Sequence, residues 1–139
     1  EQAKAAGIDI KVVREPNDGY YSDVWLKKPW CMVQWGARPT PDVMYSLAYK
    51  DDAAWNESNW QNARFNELLL MAKAELDDAK RAEMYAEMGQ IARDDGGTVI
   101  PYFPNFVYAR RTNVKTGDSL AASWPMDGGR AASRWWFEG

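Results

Sequence analysis

The sequence predicts an α/β chain ahead of an α+β one, and three observations carry that prediction. Two segments, "IDIKVV" at 8–13 and "WCMVQW" at 30–35, are short, apolar and rich in β-branched or aromatic residues, as buried or half-buried strands are. Two others, 63–76 and 78–94, repeat apolar residues at the period of an amphipathic helix. The length of 139 residues suffices for one domain with a sizeable core and not comfortably for two.

Taken in order, residues 3–6 read as the last turn of a helix that Gly7 stops as its C-cap. The strand 8–13 is followed by turn chemistry in "REPNDG" at 14–19. A helix over 20–28 places Tyr21, Val24, Trp25 and Lys28 on one face until Pro29 ends it, and the strand 30–35 follows. Strand, helix, strand favours a parallel, right-handed crossover. Thr40 is placed to cap a helix from 41 to about 49, with Pro41 at its first position, where a missing N–H costs nothing. A polar loop at 50–62 carries Trp55 and Trp60. In helix 63–76 the stripe is Phe65, Leu68, Leu69, Ala72 and Leu76. Asp77 then caps helix 78–94, whose face is Met84, Tyr85, Met88, Ile91 and Ala92, and Gly96–Gly97 ends it. "TVIPYF" at 98–103 and "FVYARR" at 106–111 read as two strands about a Pro-Asn turn. The pattern weakens from 112 to 129, and the chain closes on the aromatic cluster of "SRWWFEG". The expected architecture is a short mixed sheet covered by amphipathic helices.

Composition narrows the chemistry. With 17 basic and 20 acidic side chains the formal net charge is −3, which argues against a nucleic-acid or anionic-membrane surface. "LLLMA" at 68–72 is far too short to span a bilayer. There is no histidine, the commonest metal ligand and general base, and the single Cys31 forms neither an intramolecular disulfide nor a Cys-rich metal site. No cofactor or metal is expected. Cys31 reads as inert core. The pairs Asp51–Asp52, Asp77–Asp78 and Asp94–Asp95 sit in loops or at helix ends, where capping and solvated turns explain them; a carboxylate hydrolase is the weaker reading. The chain holds eight tryptophans where about two would be ordinary; core filling stands ahead of a ligand wall for each.

The residue that resists a bland explanation is Arg38, in "MVQWGARPTPDV" at 32–43. It precedes the amino end of the helix that starts near Pro41, whose free N–H groups carry partial positive charge. A guanidinium beside a helix start suits a carboxylate, sulfate or phosphate, and Trp35 offers a stacking wall. On local physics alone a surface ion pair with Asp42, Asp51 or Asp52, worth about 0–1 kcal/mol, stands slightly ahead of the anion site.

"AGIDIKVVREPNDGYYSDVW", "WGARPTPD", "FNELLLMAKAELDDAKRAEMYAEMGQI" with the following "IPYF", and "MDGGRAASRWWFE" together resemble the C-terminal part of family 5 extracellular solute-binding proteins. These are the peptide, oligopeptide and nickel type receptors of ABC importers. The resemblance covers nearly the whole chain, the helix-pair segment being its most specific part. It also fits the opening "EQAKAAGIDI", which has neither an initiating Met nor a signal-peptide pattern and reads as the start of a fragment or processed piece.

The resemblance implies a lobe fragment of a periplasmic-binding-protein-like fold, with residues 1–100 the C-terminal half of one lobe. Residues 101–139 would be return strands and a tail belonging to the other lobe. It further implies a non-enzymatic, periplasmic protein whose partners are a small-molecule solute, an ABC permease in the inner membrane and the missing N-terminal part of its own chain. Peptide-binding members resemble "W-x-x-D" here, the aspartate taking the peptide's α-amino group; the matching position in this chain is Arg38. Reversal of the charge disfavours an ordinary peptide and favours an anionic solute or a polyol. The nickel type is disfavoured by the lack of histidine. Trp35, Gly36, Ala37 and Arg38 are expected to line the cleft with Thr40 nearby, and Gly36 to let the backbone approach the ligand. Asn56 and Trp60 are rim candidates, with loop packing as the stronger explanation for both. The alternatives are a peptide receptor of the same family and a module that binds a partner protein through exposed tryptophans.

Overall fold

A computed structural model describes residues 2–139, which fall into two compact units, one ending at Val33 and the other running Gln34–Gly139. The chain mixes helices with one small antiparallel sheet.

In the first unit, helix α1 (Gln2–Ala5) ends as its sequence requires. Gly7 adopts φ 79, and the Gly7 and Ile8 amides donate to the Lys4 and Ala3 carbonyls at 3.0 and 2.9 Å. Helix α2 is confined to Tyr20–Asp23 rather than 20–28, because the Trp25 amide reaches back to the Tyr20 carbonyl and Leu26 turns left-handed at φ 59. The expected strands 8–13 and 30–35 do not form, and with them goes the parallel crossover. Both segments run without regular structure and neither has a ladder partner among the described residues. β-propensity alone does not hold a strand; it needs a neighbour to pair with and pack against. In 8–13 the apolar side chains stay in solvent instead, Ile8 at 56%, Ile10 at 48% and Val12 at 85% exposure, whereas in 30–35 Cys31, Val33 and Trp35 are half-buried. Cys31 is half-buried, not core. Val24 is the buried apolar residue here, and the Tyr20 hydroxyl donates to the Met32 carbonyl at 2.7 Å.

The second unit holds the core. Helices α3 (Pro41–Ala48), α4 (Ala63–Ala74) and α5 (Asp78–Asp95) match the expected segments closely. Asn62 starts α4 by accepting the Phe65 amide at 3.0 Å, and Asp77 starts α5 by accepting the Ala79 and Lys80 amides at 2.9 and 3.1 Å. Replacing Asp77 with alanine orphans both donors and is expected to cost about 1 kcal/mol in urea unfolding. Phe65, Leu68, Leu69 and Ala72 of α4 meet Met88 of α5 in a fully buried cluster. Leu76, expected on the same stripe, lies beyond the end of α4 and is 92% exposed.

Helices α4 and α5 form an antiparallel hairpin. Arg64 at the start of α4 pairs with Glu87 at 2.8 Å, while Trp60 Nε1 and Asn62 Nδ2 donate to Asp95 Oδ2 at 3.0 and 3.1 Å. Tyr45, Tyr49 and Trp60 ring Phe65, with centroids 5.2, 6.3 and 5.1 Å away. Tyr45 can do so because α5 presents Gly89 there; a Cβ on Gly89 would come within 3.2 Å of the Tyr45 hydroxyl.

The bonds from Asn62 and Trp60 hold the Asp95 carboxyl below its ordinary pKa. A carboxylate lowered by folding stabilises above its unfolded pKa of about 3.9 and loses that contribution as pH falls through the folded value. Acid titration followed by circular dichroism should therefore show native protein losing stability below about pH 4 more steeply than Asp95→Asn, which has no such carboxyl to protonate.

Residues 98–111 depart from expectation. The hairpin of 98–103 and 106–111 is absent, since Pro101 and Pro104 each lack the N–H a ladder needs, and the whole stretch is exposed. The sheet lies elsewhere: β1 (Val114–Lys115) pairs antiparallel with β2 (Trp136–Phe137), Val114 opposite Phe137 and Lys115 opposite Trp136. Lys115 and Glu138 close it with an ion pair at 2.9 Å. Between them lie a short turn α6 (Pro125–Gly128) and helix α7 (Ala131–Arg134). Among the described residues no helix is long and apolar enough to cross a membrane.

Candidate functional site

Residues 35–40 lead into α3 as an irregular, extended segment. Two prolines dictate this. The residue before a proline is pushed out of the helical region, which applies to Arg38 before Pro39 and to Thr40 before Pro41. Thr40 accordingly sits at φ −140, ψ 154 and occupies the N-cap position of α3, although its side chain makes no capping bond. Asp42, in the first turn, already sets one carboxylate against the positive end of the helix.

Trp35 and Arg38 form the centre of the site. The half-buried Trp35 donates its indole N–H to Glu57 Oε1, and its ring lies 6.0 Å from that of Trp55 at 59°. Arg38 folds back over its own segment. Its Nη1 donates to the Gly36 carbonyl at 2.8 Å and, at 3.4 Å, to that of Ala37, while Cζ stands 5.6 Å from the Trp35 ring centroid. The guanidinium thus faces an indole and two carbonyls, a cation–π geometry that preserves its charge.

The three carboxylates that could have neutralised Arg38 go to lysines. Asp51 and Asp52 pair with Lys50, and Asp42 approaches Lys73 at 3.7 Å. Gly36 is not forced by sterics in this arrangement, since a Cβ there would meet Arg38 Nη1 at an ordinary 3.5 Å. Ala37 and Thr40 are exposed.

Asn56 and Trp60 serve the loop behind the site. Asn56 is buried; its Nδ2 donates to the carbonyls of Lys50 and Trp60 at 3.2 and 2.7 Å, and its Oδ1 accepts from Ser58 Oγ and the Trp60 amide, both at 3.2 Å. Every hydrogen-bonding role of the side-chain amide is thereby filled. Trp60 packs on Phe65 and spends its N–H on Asp95. Both therefore act as loop packing, and their product is the placement of Trp55 and Glu57 beside Trp35. Trp55 and Glu57 were not among the expected site residues. Their signal in the sequence was weak: a tryptophan and a glutamate in a loop rich in acids, with nothing local to say that they meet residue 35.

Elsewhere, Asp52, Asp94 and Asp95 are all held below the usual carboxylate range by hydrogen bonds, from Lys50, from Arg93 and Gln90, and from Asn62 and Trp60 respectively. A general acid needs the opposite shift. Among the described residues no group of His, Cys, Asp and Glu is arranged to hold a metal ion. No family model matches the chain, and neither curated proteins nor solved structures yield a match.

Proposed function

We propose that this chain is the C-terminal portion of a periplasmic solute-binding protein of an ABC importer. On this reading it binds and does not catalyse, and it delivers an anionic or polyol solute to a permease. The observation that carries the proposal is Arg38, a half-buried guanidinium that rests on Trp35 and on backbone carbonyls. Such an arrangement leaves a full positive charge available to a ligand, and the aromatic face beneath can carry the ligand's apolar side. Trp55 and Glu57 steady that face.

A second feature supports the placement within a larger receptor. The apolar segments 8–13 and 98–107 have strand-like sequences yet form no ladder and lie exposed, Val13 at 67%, Phe103 at 85% and Val107 at 92%. Such segments suit strands whose partners belong to the rest of a two-lobed protein. The chain alone then supplies one wall of the cleft, and closure of a second lobe supplies much of the desolvation. Titration calorimetry of this chain against small carboxylates and polyols is expected to show no micromolar binding, whereas the full-length protein carrying it should bind. Micromolar affinity in the chain alone would contradict the two-lobed reading.

A further inference from the structure

Residues 8–13 of the first unit, "IDIKVV", form a run to which the chain itself supplies no neighbour. From Asp9 to Val13 no backbone N–H or carbonyl bonds to another described residue, and every residue of the run is exposed. Only the Ile8 amide is spent, on the Ala3 carbonyl at 2.9 Å. Ile8, Ile10, Val12 and Val13 are β-branched and apolar, and no proline interrupts them. An exposed, unpaired run of that kind is a template for pairing with another chain.

The charge pattern says which chain. Asp9 and Lys11 flank Ile10 with opposite signs, which makes the run complementary to itself. When two copies lie antiparallel about a twofold axis through Ile10, Asp9 of each faces Lys11 of the other, Ile8 faces Val12 and Ile10 faces Ile10. Opposite charges directly across a ladder stabilise it, and like charges destabilise it. Moving the axis to residue 9 sets Asp9 against Asp9; moving it to residue 11 sets Lys11 against Lys11. A parallel, in-register pair sets both like pairs side by side. A slip by one residue turns the apolar side chains onto the charged face. The other exposed strand-like stretch, 98–107, offers no charge to Asp9 or Lys11, and Pro101 and Pro104 interrupt its row of N–H groups.

The backbone selects the same register. Opposed residues in an antiparallel ladder alternate between pairs that exchange both N–H···O bonds and pairs that exchange none, and side chains approach more closely in the latter. With Asp9 and Lys11 as the bonded pairs, Ile8–Val12 and Ile10–Ile10 are the unbonded ones. The apolar contacts are then the close ones. No bond is required of the Ile8 amide, the one donor already in use. We propose that residues 8–13 are a self-association edge, through which two copies of this chain pair as an antiparallel, twofold-symmetric β-ribbon. A two-stranded ribbon of this length is marginal by itself, so the dimer is weak and concentration-dependent. The proposal concerns the 139-residue chain as it stands and holds or fails separately from the solute-binding reading.

Sedimentation equilibrium of the 139-residue chain between about 10 μM and about 1 mM tests it. The native chain is expected to pass from monomer to dimer across that range. Asp9→Lys and Lys11→Asp each turn both charge pairs into like pairs and should weaken self-association at least about tenfold. Both positions are exposed and lie outside the core, and circular dichroism establishes that the variants fold. An equimolar mixture of the two variants restores opposite charges across the ladder and should dimerise as the native chain does. So should the double variant Asp9→Lys with Lys11→Asp, which exchanges the two charges. A native chain that stays monomeric at about 1 mM would overturn the proposal. Single variants that associate as tightly as the native chain would do the same, since contact through 98–107 or another apolar stretch gives that result. A mixture that stays monomeric would also contradict it.

Discussion

Replacing Phe65 with alanine is expected to destabilise the Gln34–Gly139 unit by about 3–5 kcal/mol, the range for deleting a large aromatic from a packed core. Phe65 has no exposed surface, and three further aromatic rings converge on it: Tyr45 from α3, Tyr49 just beyond it, and Trp60 from the loop before α4. Its removal would open one cavity shared by α3, α4 and the 50–62 loop. The rings around it are anchored elsewhere, Trp60 by Asp95 and Tyr45 over Gly89, which limits how far they can collapse inward. Urea unfolding monitored by near-ultraviolet circular dichroism gives the value. A loss below about 1 kcal/mol would mean that the aromatic ring cluster is not the centre of the fold. Because the same loop carries Trp55 and Glu57, this substitution should also loosen the wall beside Trp35.

The parts of this fold that were legible in the sequence share a physical basis. Helices α3, α4 and α5 are specified locally: by Pro41 at a first position, by Asn62 and Asp77 as side-chain caps, and by a stripe that stays on one face from Phe65 to Ala72. Strands are not local objects. "IDIKVV" and "TVIPYF" have the side chains of strands, but whether they form ladders depends on a neighbour that no local pattern can report. Conversely Val114–Lys115 and Trp136–Phe137 pair because the chain turns back on itself through α6 and α7. That turn rests on left-handed residues at Met126 and Asp127, whose conformation is not a sequence preference of methionine.

The candidate site shows the same division. Trp35 and Arg38 are conspicuous in the sequence, an arginine between a Trp-Gly turn and two prolines, and Asn56 and Trp60 are a polar and an aromatic residue of the following loop. The structure gives the latter pair to loop packing and brings in Trp55 and Glu57 through a tertiary contact that sequence spacing does not encode. The competing ion pairs of Arg38 were also legible as possibilities. They are resolved by Lys50 and Lys73, two cations closer to those carboxylates in the fold.

The second large effect concerns Arg38 itself. If its guanidinium meets the charge of a bound solute, Arg38→Asp places a carboxylate where the anion would sit. The expected loss in affinity is about 30-fold or more, since removing one partner of a hydrogen-bonded charge pair in a closed site costs about 2–5 kcal/mol. Arg38→Lys should lose less, because it keeps the charge while giving up the planar fork and its stacking on Trp35. Neither change should unfold the chain, because Arg38 spends its hydrogen bonds on the carbonyls of its own segment and none on the core.

The most direct measurement is a calorimetric screen of the full-length protein, native and Arg38→Asp, against matched panels of small carboxylates, polyols and short peptides. The native protein is expected to bind an anion or polyol, and Arg38→Asp to lose that solute while remaining folded. Equal affinity of the two proteins for the same anionic solute, or tight binding of peptides with a free amino terminus by the native protein, would contradict the role given to Arg38.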